Sequence, residues 1–171
     1  MVALTKARYK LRAFKPEDAA TLSAELCTKS IQDNMTMETP WTLEKASWWI
    51  SFIDDMATKT PLQELHFAIE IDGYLAGSIG LINIIGHRCE IGYWLSSKHR
   101  NIGIITEAIG EVVAKAPAKL GLKRIFAPIL PYNKASARVL EKNGFELEGI
   151  LKKYYFKNGK YIDAYCYAWV R

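Results

Sequence analysis

Apolar positions along this chain repeat first every second residue and then every third or fourth, and the switches mark an alternation of strands and helices. "RYKLRAF", starting at Arg8, alternates well enough for an edge strand. Pro16, with Glu17 and Asp18 behind it, opens a helix predicted from about Pro16 to Lys29, with negative charge at its positive end. Thr42 caps a second helix running to about Thr58. "LHFAIEI" returns to a strand period, Asp72-Gly73 is a type I′ hairpin signal, and "YLAGSIGLI" is the returning strand. "CEIGYWL" is a fourth strand. Beyond it Ile105, Ala108, Ile109, Val112, Val113, Ala116 and Leu120 form one face of a helix, which Pro117 should kink or shorten near its end. "KRIFAPIL" is a fifth strand, and "NKASARVLEKNG" is a short helix with Asn133 at its N-cap and Gly144 at its stop. Two further strands meet at the Asn158-Gly159 turn.

Composition narrows what this order can mean. With 171 residues, half of them apolar and 24% charged, the chain is expected to form one globular domain over 1–171 with a real core. "MVALTKARYK" has no apolar stretch of signal-peptide length, and no window is long and apolar enough for a membrane helix. The expected compartment is therefore the cytoplasm, with no membrane partner. Cys27, Cys89 and Cys166 are far apart and outside any C-x-x-C pair, so a disulfide framework and a zinc site are not indicated, and the three read as reduced, small core residues. His66, His87 and His99 lack metal-ligand spacing, so no metal is expected. The net charge of +5 suits an anionic cofactor, an acidic surface or weak RNA contact equally well.

One glycine carries more information than the charge. Gly103 in "SKHRNIGIITEAI" stands where strand gives way to helix, so the amides around it belong to a helix start with no side-chain cap and need an acceptor. Phosphate oxygens suit them, because the donors and the helix dipole act together. An ordinary solvated turn is the competing reading. The segment is not G-x-G-x-x-G and holds no G-K-[ST], which argues against dinucleotide binding and nucleotide hydrolysis.

The wider constellation is specific. "EIGYWLSSKHRNIGIITEA", followed by "NKASARVLEKNGF" and "LEGILKKYYFKNGKYIDAYCYA", closely resembles the GNAT superfamily of N-acetyltransferases, and within it the branch that acetylates ribosomal-protein N-termini. The resemblance runs from about "KLRAFKPEDA" to the C-terminus. It implies an α/β fold of mixed kind: a seven-stranded, mostly antiparallel sheet flanked by four helices, splayed between its fourth and fifth strands to admit acetyl-CoA as acetyl donor. Pro128 and Pro131 fit that implication, since a strand leaving its neighbour needs fewer donors. By the same resemblance, the backbone around Tyr93, Trp94 and Leu95 pairs with pantetheine. The amides of Arg100, Asn101, Ile102, Gly103, Ile104, Ile105 and Thr106 cradle the pyrophosphate, and Asn133 contacts the pantetheine arm. Ile105 departs from the usual small residue, so its side chain must turn to the core. Asn101 and Ile102 replace the commoner Gly and Lys, which removes one phosphate-attracting charge.

Acetyl transfer to an amine needs a neutral nucleophile, a donor to the developing oxyanion and a proton for the leaving thiolate. Glu90, on the fourth strand, is the candidate base, acting through water; a structural strand glutamate is the competing reading. A backbone amide of Trp94 or Leu95 is the oxyanion candidate. Ser136, three residues after Asn133 on one side of the first helical turn, is the candidate acid, against a reading in which it only helps to cap the helix. The resemblance supports the acid role. It also places acceptor recognition near Met35, Met37, Trp41, Trp48 and Trp49, with one of the three tryptophans expected at the substrate. Glu38 and Glu44 are available to attract a cationic acceptor. The tyrosines of "KKYYFKNGKYIDAYCY" read as sheet-packing residues. The favoured acceptor is a protein or peptide N-terminus, with a small amine such as a polyamine or amino sugar next. A non-catalytic module binding acyl-CoA or RNA is the alternative of another class. Nucleic acid is otherwise expected only by way of the ribosome, and a homodimer is left open.

Overall fold

Asp72 and Gly73 hold positive φ angles of 51° and 87°, the geometry a tight hairpin of right-twisted strands demands, and the rest of the sheet grows outward from the hairpin they close. The computed structural model describes residues 8–37 and 39–171. The hairpin joins β2 (Leu65–Ile71) to β3 (Tyr74–Ile85), with β1 (Lys10–Arg12) on the outer edge and β4 (Arg88–Leu95) on the inner one. β5 (Arg124–Ile129), β6 (Glu146–Lys157) and β7 (Lys160–Val170) complete a seven-stranded sheet of order β1-β2-β3-β4-β5-β7-β6. Only β4 and β5 pair in parallel. The mixed α/β architecture and the strand count are as expected.

The helices cover both faces. α1 (Asp18–Leu26), α2 (Lys29–Gln32) and α3 (Leu43–Thr58) bury Leu22, Leu26, Ile31 and Ile50 with Ala68, Leu75 and Trp94. α4 (Ile104–Leu120) and α5 (Lys134–Lys142) cover the opposite face, where Ala108, Ile109, Val112 and Leu140 pack on Ile79, Ile91 and Ile125. Strand alternation divides β4 between the two cores: Ile91, Tyr93 and Leu95 face α4 and α5, and Trp94 faces α1 and α3.

Three expectations are corrected. The helices number five among the described residues, because the single helix predicted over 16–29 is broken. Thr28 takes an extended conformation (φ −71°, ψ 138°), and both its amide and its hydroxyl donate to the Glu25 carbonyl, at 3.0 and 2.7 Å, so α1 closes in a tight turn at that carbonyl. Pro117 does not shorten α4, which runs on to Leu120 and stops at left-handed Gly121. Cys27 is exposed at the end of α1, whereas Cys89 and Cys166 are buried as expected. Among the described residues no helix is long and apolar enough to cross a membrane.

Candidate functional site: a cleft through a splayed sheet

Parallel pairing between β4 and β5 covers only Arg88↔Arg124, Cys89↔Ile125 and Glu90↔Phe126, although β4 continues to Leu95 and β5 to Ile129. Past Glu90 the two strands separate. β4 keeps its ladder to β3 as far as Leu95↔Gly77, so the edge that faces β5 is left without a strand partner. Pro128 lies in the separated part of β5, where its missing amide breaks no bond to β4.

Two cavities of about 390 Å³ each meet at this gap and share Asn34, Met35, Tyr93, Trp94, Asn133 and Ser136 in their walls. They differ in charge. One is walled by Arg100, Arg138 and Lys142 together with the start of α4; the other holds Glu64 and Glu90 and no lysine or arginine among its described residues. The net charge of +5 is thus distributed so that one side suits an anion and the other a cation.

On the basic side, Gly103 is the N-cap of α4 with φ 86°, and no side chain caps the helix. The first internal bond is Glu107 N–H to the Gly103 carbonyl at 3.0 Å, and no backbone acceptor among the described residues meets the amides of Gly103, Ile104, Ile105 and Thr106. Asn101 also has a positive φ of 64°, which asparagine tolerates best after glycine, so its replacement of the commoner glycine keeps the local path. A Cβ on Gly103 would approach only Arg8 Nη2 at 3.4 Å and Glu107 Oε1 at 3.6 Å. Within the chain itself, the glycine is therefore demanded by its left-handed backbone rather than by crowding. Ile105 is half-buried against the main core as anticipated, and Ile102 is exposed outside the cavity wall. Arg138 and Lys142 from α5 supply the positive charge that Ile102 does not. Arg100 donates from Nε to the Leu95 carbonyl at 2.9 Å, which pins the loop to the end of β4.

Residues 8–146 match the acetyltransferase (GNAT) domain. The chain belongs to the GNAT family. It is 42% identical over 106 residues to the probable N-acetyltransferase YjcK of Bacillus subtilis, and the matched stretch spans 59% of each chain. It is 35% identical over 91 residues to the ribosomal-protein-serine acetyltransferase of Escherichia coli, covering 53% of this chain and 51% of that one. The chain therefore spans little more than half the length of these curated relatives. Among solved structures, Mycobacterium smegmatis RimJ in complex with a CoA disulfide superimposes with a TM-score of 0.85 at 28% identity, covering 95% of this chain and 81% of that one.

In this GNAT chain Glu90 lines the acidic cavity at the last β4–β5 pair, and burial pushes its carboxyl above the usual range. No hydrogen bond to another described residue offsets that desolvation. Ser136 is buried, and its amide donates to Asn133 Oδ1 at 3.1 Å, so Asn133 is the cap and leaves the serine hydroxyl free for another partner. That partner is Tyr93, whose hydroxyl lies 2.6 Å from Ser136 Oγ and donates to the Ser136 carbonyl at 3.3 Å. Burial raises the Tyr93 phenol far above its ordinary range, so it stays protonated. The side chain of Tyr93 went unassigned from sequence, where only its backbone attracted notice; period two along β4 was the available signal.

Of Trp41, Trp48 and Trp49, the first and last wall the acidic cavity, and Trp48 is exposed and stacks on Phe52. Met35 and Met37 join them. Tyr155, taken for a sheet residue, reaches the same wall and donates to the Pro128 carbonyl at 2.8 Å, because a register shift between Leu151 and Tyr155 re-aims it. His66, also unassigned, lines the cavity with Nε2 at 2.8 Å from Glu64 Oε2. Glu44 is exposed in the first turn of α3 and borders neither cavity, and Glu38 lies outside the described residues.

Proposed function

We propose that this chain transfers the acetyl group of acetyl-CoA to a primary amine, the N-terminal α-amine of a protein. The observation that carries the reading is the break in β4–β5 pairing, which joins a basic cavity with orphaned helix amides to an acidic, aromatic one. The donor set fits CoA. Four unpaired amides at a helix start, with Arg100, Arg138 and Lys142 beside them, suit a pyrophosphate, and the free edge of β4 at Tyr93 and Leu95, with Asn133 opposite, suits an amide-bearing arm; Trp94, between them, turns its backbone to Ser78 of β3 and is not the oxyanion donor. Solved neighbours with CoA or acetyl-CoA bound support the assignment.

Acetyl-CoA supplies an acyl carbon already activated as a thioester, so the chain's task is proton handling and placement. Glu90 accepts the proton that the amine gives up as the new C–N bond forms, by way of a water. Ser136, backed by the Tyr93 hydroxyl, returns a proton to the sulfur as the C–S bond breaks. An α-amine with a pKa near 8 is about one-tenth neutral at pH 7, whereas a lysine amine near 10.4 costs on the order of 4 kcal/mol to neutralise, which favours the N-terminus. Curated relatives named as ribosomal-protein acetyltransferases support a protein acceptor, met in the cytosol.

The test is a panel of N-terminal peptides, polyamines and amino sugars incubated with acetyl-CoA while released thiol is followed. Turnover of peptide N-termini is expected. Turnover confined to small amines overturns the protein acceptor. Failure of every amine, with no CoA binding and salt-sensitive RNA binding in its place, overturns the enzymatic reading.

A further inference from the structure

The acidic cavity says more about its occupant than that it is an amine. Beyond the gap its wall is built from Met35, Met37, Trp41, Trp49, Phe52 and Ile82, a surface of thioethers, rings and a branched alkyl chain. At about 390 Å³ it is far larger than an ammonium group alone requires. Methionines fill irregular contacts well and make favourable sulfur contacts with rings, so such a wall accepts bulky apolar groups of varied shape. Trp49 is held edge-on to Trp41, Phe14 and His66 at centroid distances of 6.0, 5.2 and 5.1 Å, which makes this wall a fixed surface.

Charge adds a restriction. The ionisable groups among the described lining residues are Glu64, Glu90, His66, Tyr93 and Tyr155, and the one side chain there that can carry positive charge, His66, is already engaged by Glu64 at 2.8 Å. A carboxylate next to the reacting amine would meet two glutamates and no free cation. A neutral amide in the same place brings no charge and meets no such repulsion.

We infer that the acceptor is a peptide N-terminus whose first side chain is large and apolar, and that free amino acids are rejected. The inference rests on the acetyl-transfer reading above and narrows its acceptor.

Peptides identical beyond position one, beginning with Met, Leu, Phe, Ser or Ala, are compared with free Met and Phe, their amides, and phenethylamine. Met, Leu and Phe peptides are expected to exceed Ser and Ala peptides in kcat/KM by roughly 10–200-fold, the range a hydrophobic pocket gives for a missing apolar group. Amides should exceed the free acids by at least about tenfold, as like charges at a desolvated site oppose binding. Acetylation led by Ser or Ala peptides, or free acids matching their amides, overturns this inference and leaves acetyl transfer to N-termini standing. Turnover of polyamines or amino sugars with none of the peptides overturns the acceptor reading itself, and this inference with it.

Discussion

Ser136 and Asn133 sit three residues apart with their roles separated by one hydrogen bond: the Asn133 side chain accepts the Ser136 amide, and the Ser136 hydroxyl meets Tyr93. Asn133→Ala should cost about 1 kcal/mol of helix capping and weaken CoA binding. Ser136→Ala should spare both and lower kcat by roughly 10–100-fold, the low end of what a general acid contributes, because a thiolate is already a tolerable leaving group. If Tyr93 acts through the serine, Tyr93→Phe should lower kcat in the parent and add less than about twofold in the Ser136→Ala background, a cycle read by steady-state kinetics. Glu90 offers a check on pH. Burial raises its carboxyl, so the acid limb of kcat should lie above the ordinary glutamate range, and Glu90→Gln should lower kcat by about a hundredfold and flatten that limb. The sign on stability is opposite to that of a paired carboxylate. Between the unfolded and the raised folded pKa, the folded state binds more protons, so Glu90 disfavours folding increasingly as pH rises through that window. Glu90→Gln should therefore melt above the parent at neutral pH and alongside it at acid pH.

Two elements set the site's shape. The start of α4 depends on Gly103 for a backbone of φ 86°, so Gly103→Val should lose roughly 1–3 kcal/mol of stability as well as affinity for acetyl-CoA. Gly103→Asn separates the two effects, since asparagine tolerates the left-handed region. If the amides cradle a pyrophosphate, Gly103→Asn should raise KM for acetyl-CoA at least about tenfold with a smaller fall in Tm than the valine variant. The second element is the segment after α2 that roofs the acidic cavity with Asn34, Met35 and Thr36. Lys157, from the far end of β6, donates to the carbonyls of Gln32, Asp33 and Met35 at 2.6, 2.8 and 2.8 Å, and Tyr132 donates to Asp33 O at 3.2 Å. One ammonium thus satisfies three carbonyls where α2 ends. Because Asn34 and Met35 wall both cavities, Lys157→Met should speed hydrogen exchange in that segment and raise KM for the acceptor and for acetyl-CoA, each by a few-fold to about tenfold, read by steady-state kinetics.

Across the whole molecule, the two cavities carry opposite charge and meet at one gap, a division suited to two ligands of opposite charge. Arg138→Ala with Lys142→Ala should raise the Kd of CoA by roughly five- to tenfold and make it less sensitive to salt, while the acceptor KM stays unchanged. For the parent, CoA at 100 times its Kd should add about 2.7 kcal/mol of stability, read as a shift in Tm.

Local order was legible in the residues. Alternation, the Asp72-Gly73 turn, Thr42 and Asn133 as caps and the apolar stripe of α4 are decided by neighbours within a few positions, and the structure repeats them. The motif around Gly103 likewise marked a helix start with unmet donors. Where reading failed, the cause was a competing contact: Thr28 bonding back to Glu25 ended a helix that propensity would have extended, and Gly121 set the end that Pro117 did not. Long-range placement was beyond sequence alone. Tyr93 meets Ser136 across 43 positions, Lys157 reaches Met35 across 122, and Tyr155 enters the cavity through a register shift. Period and capping act over one or two turns of chain, whereas the splay of β4 from β5 depends on which strands lie beside them. That choice brings Glu90, Tyr93 and Ser136 to one gap and sorts basic from acidic walls, and only the folded sheet makes it.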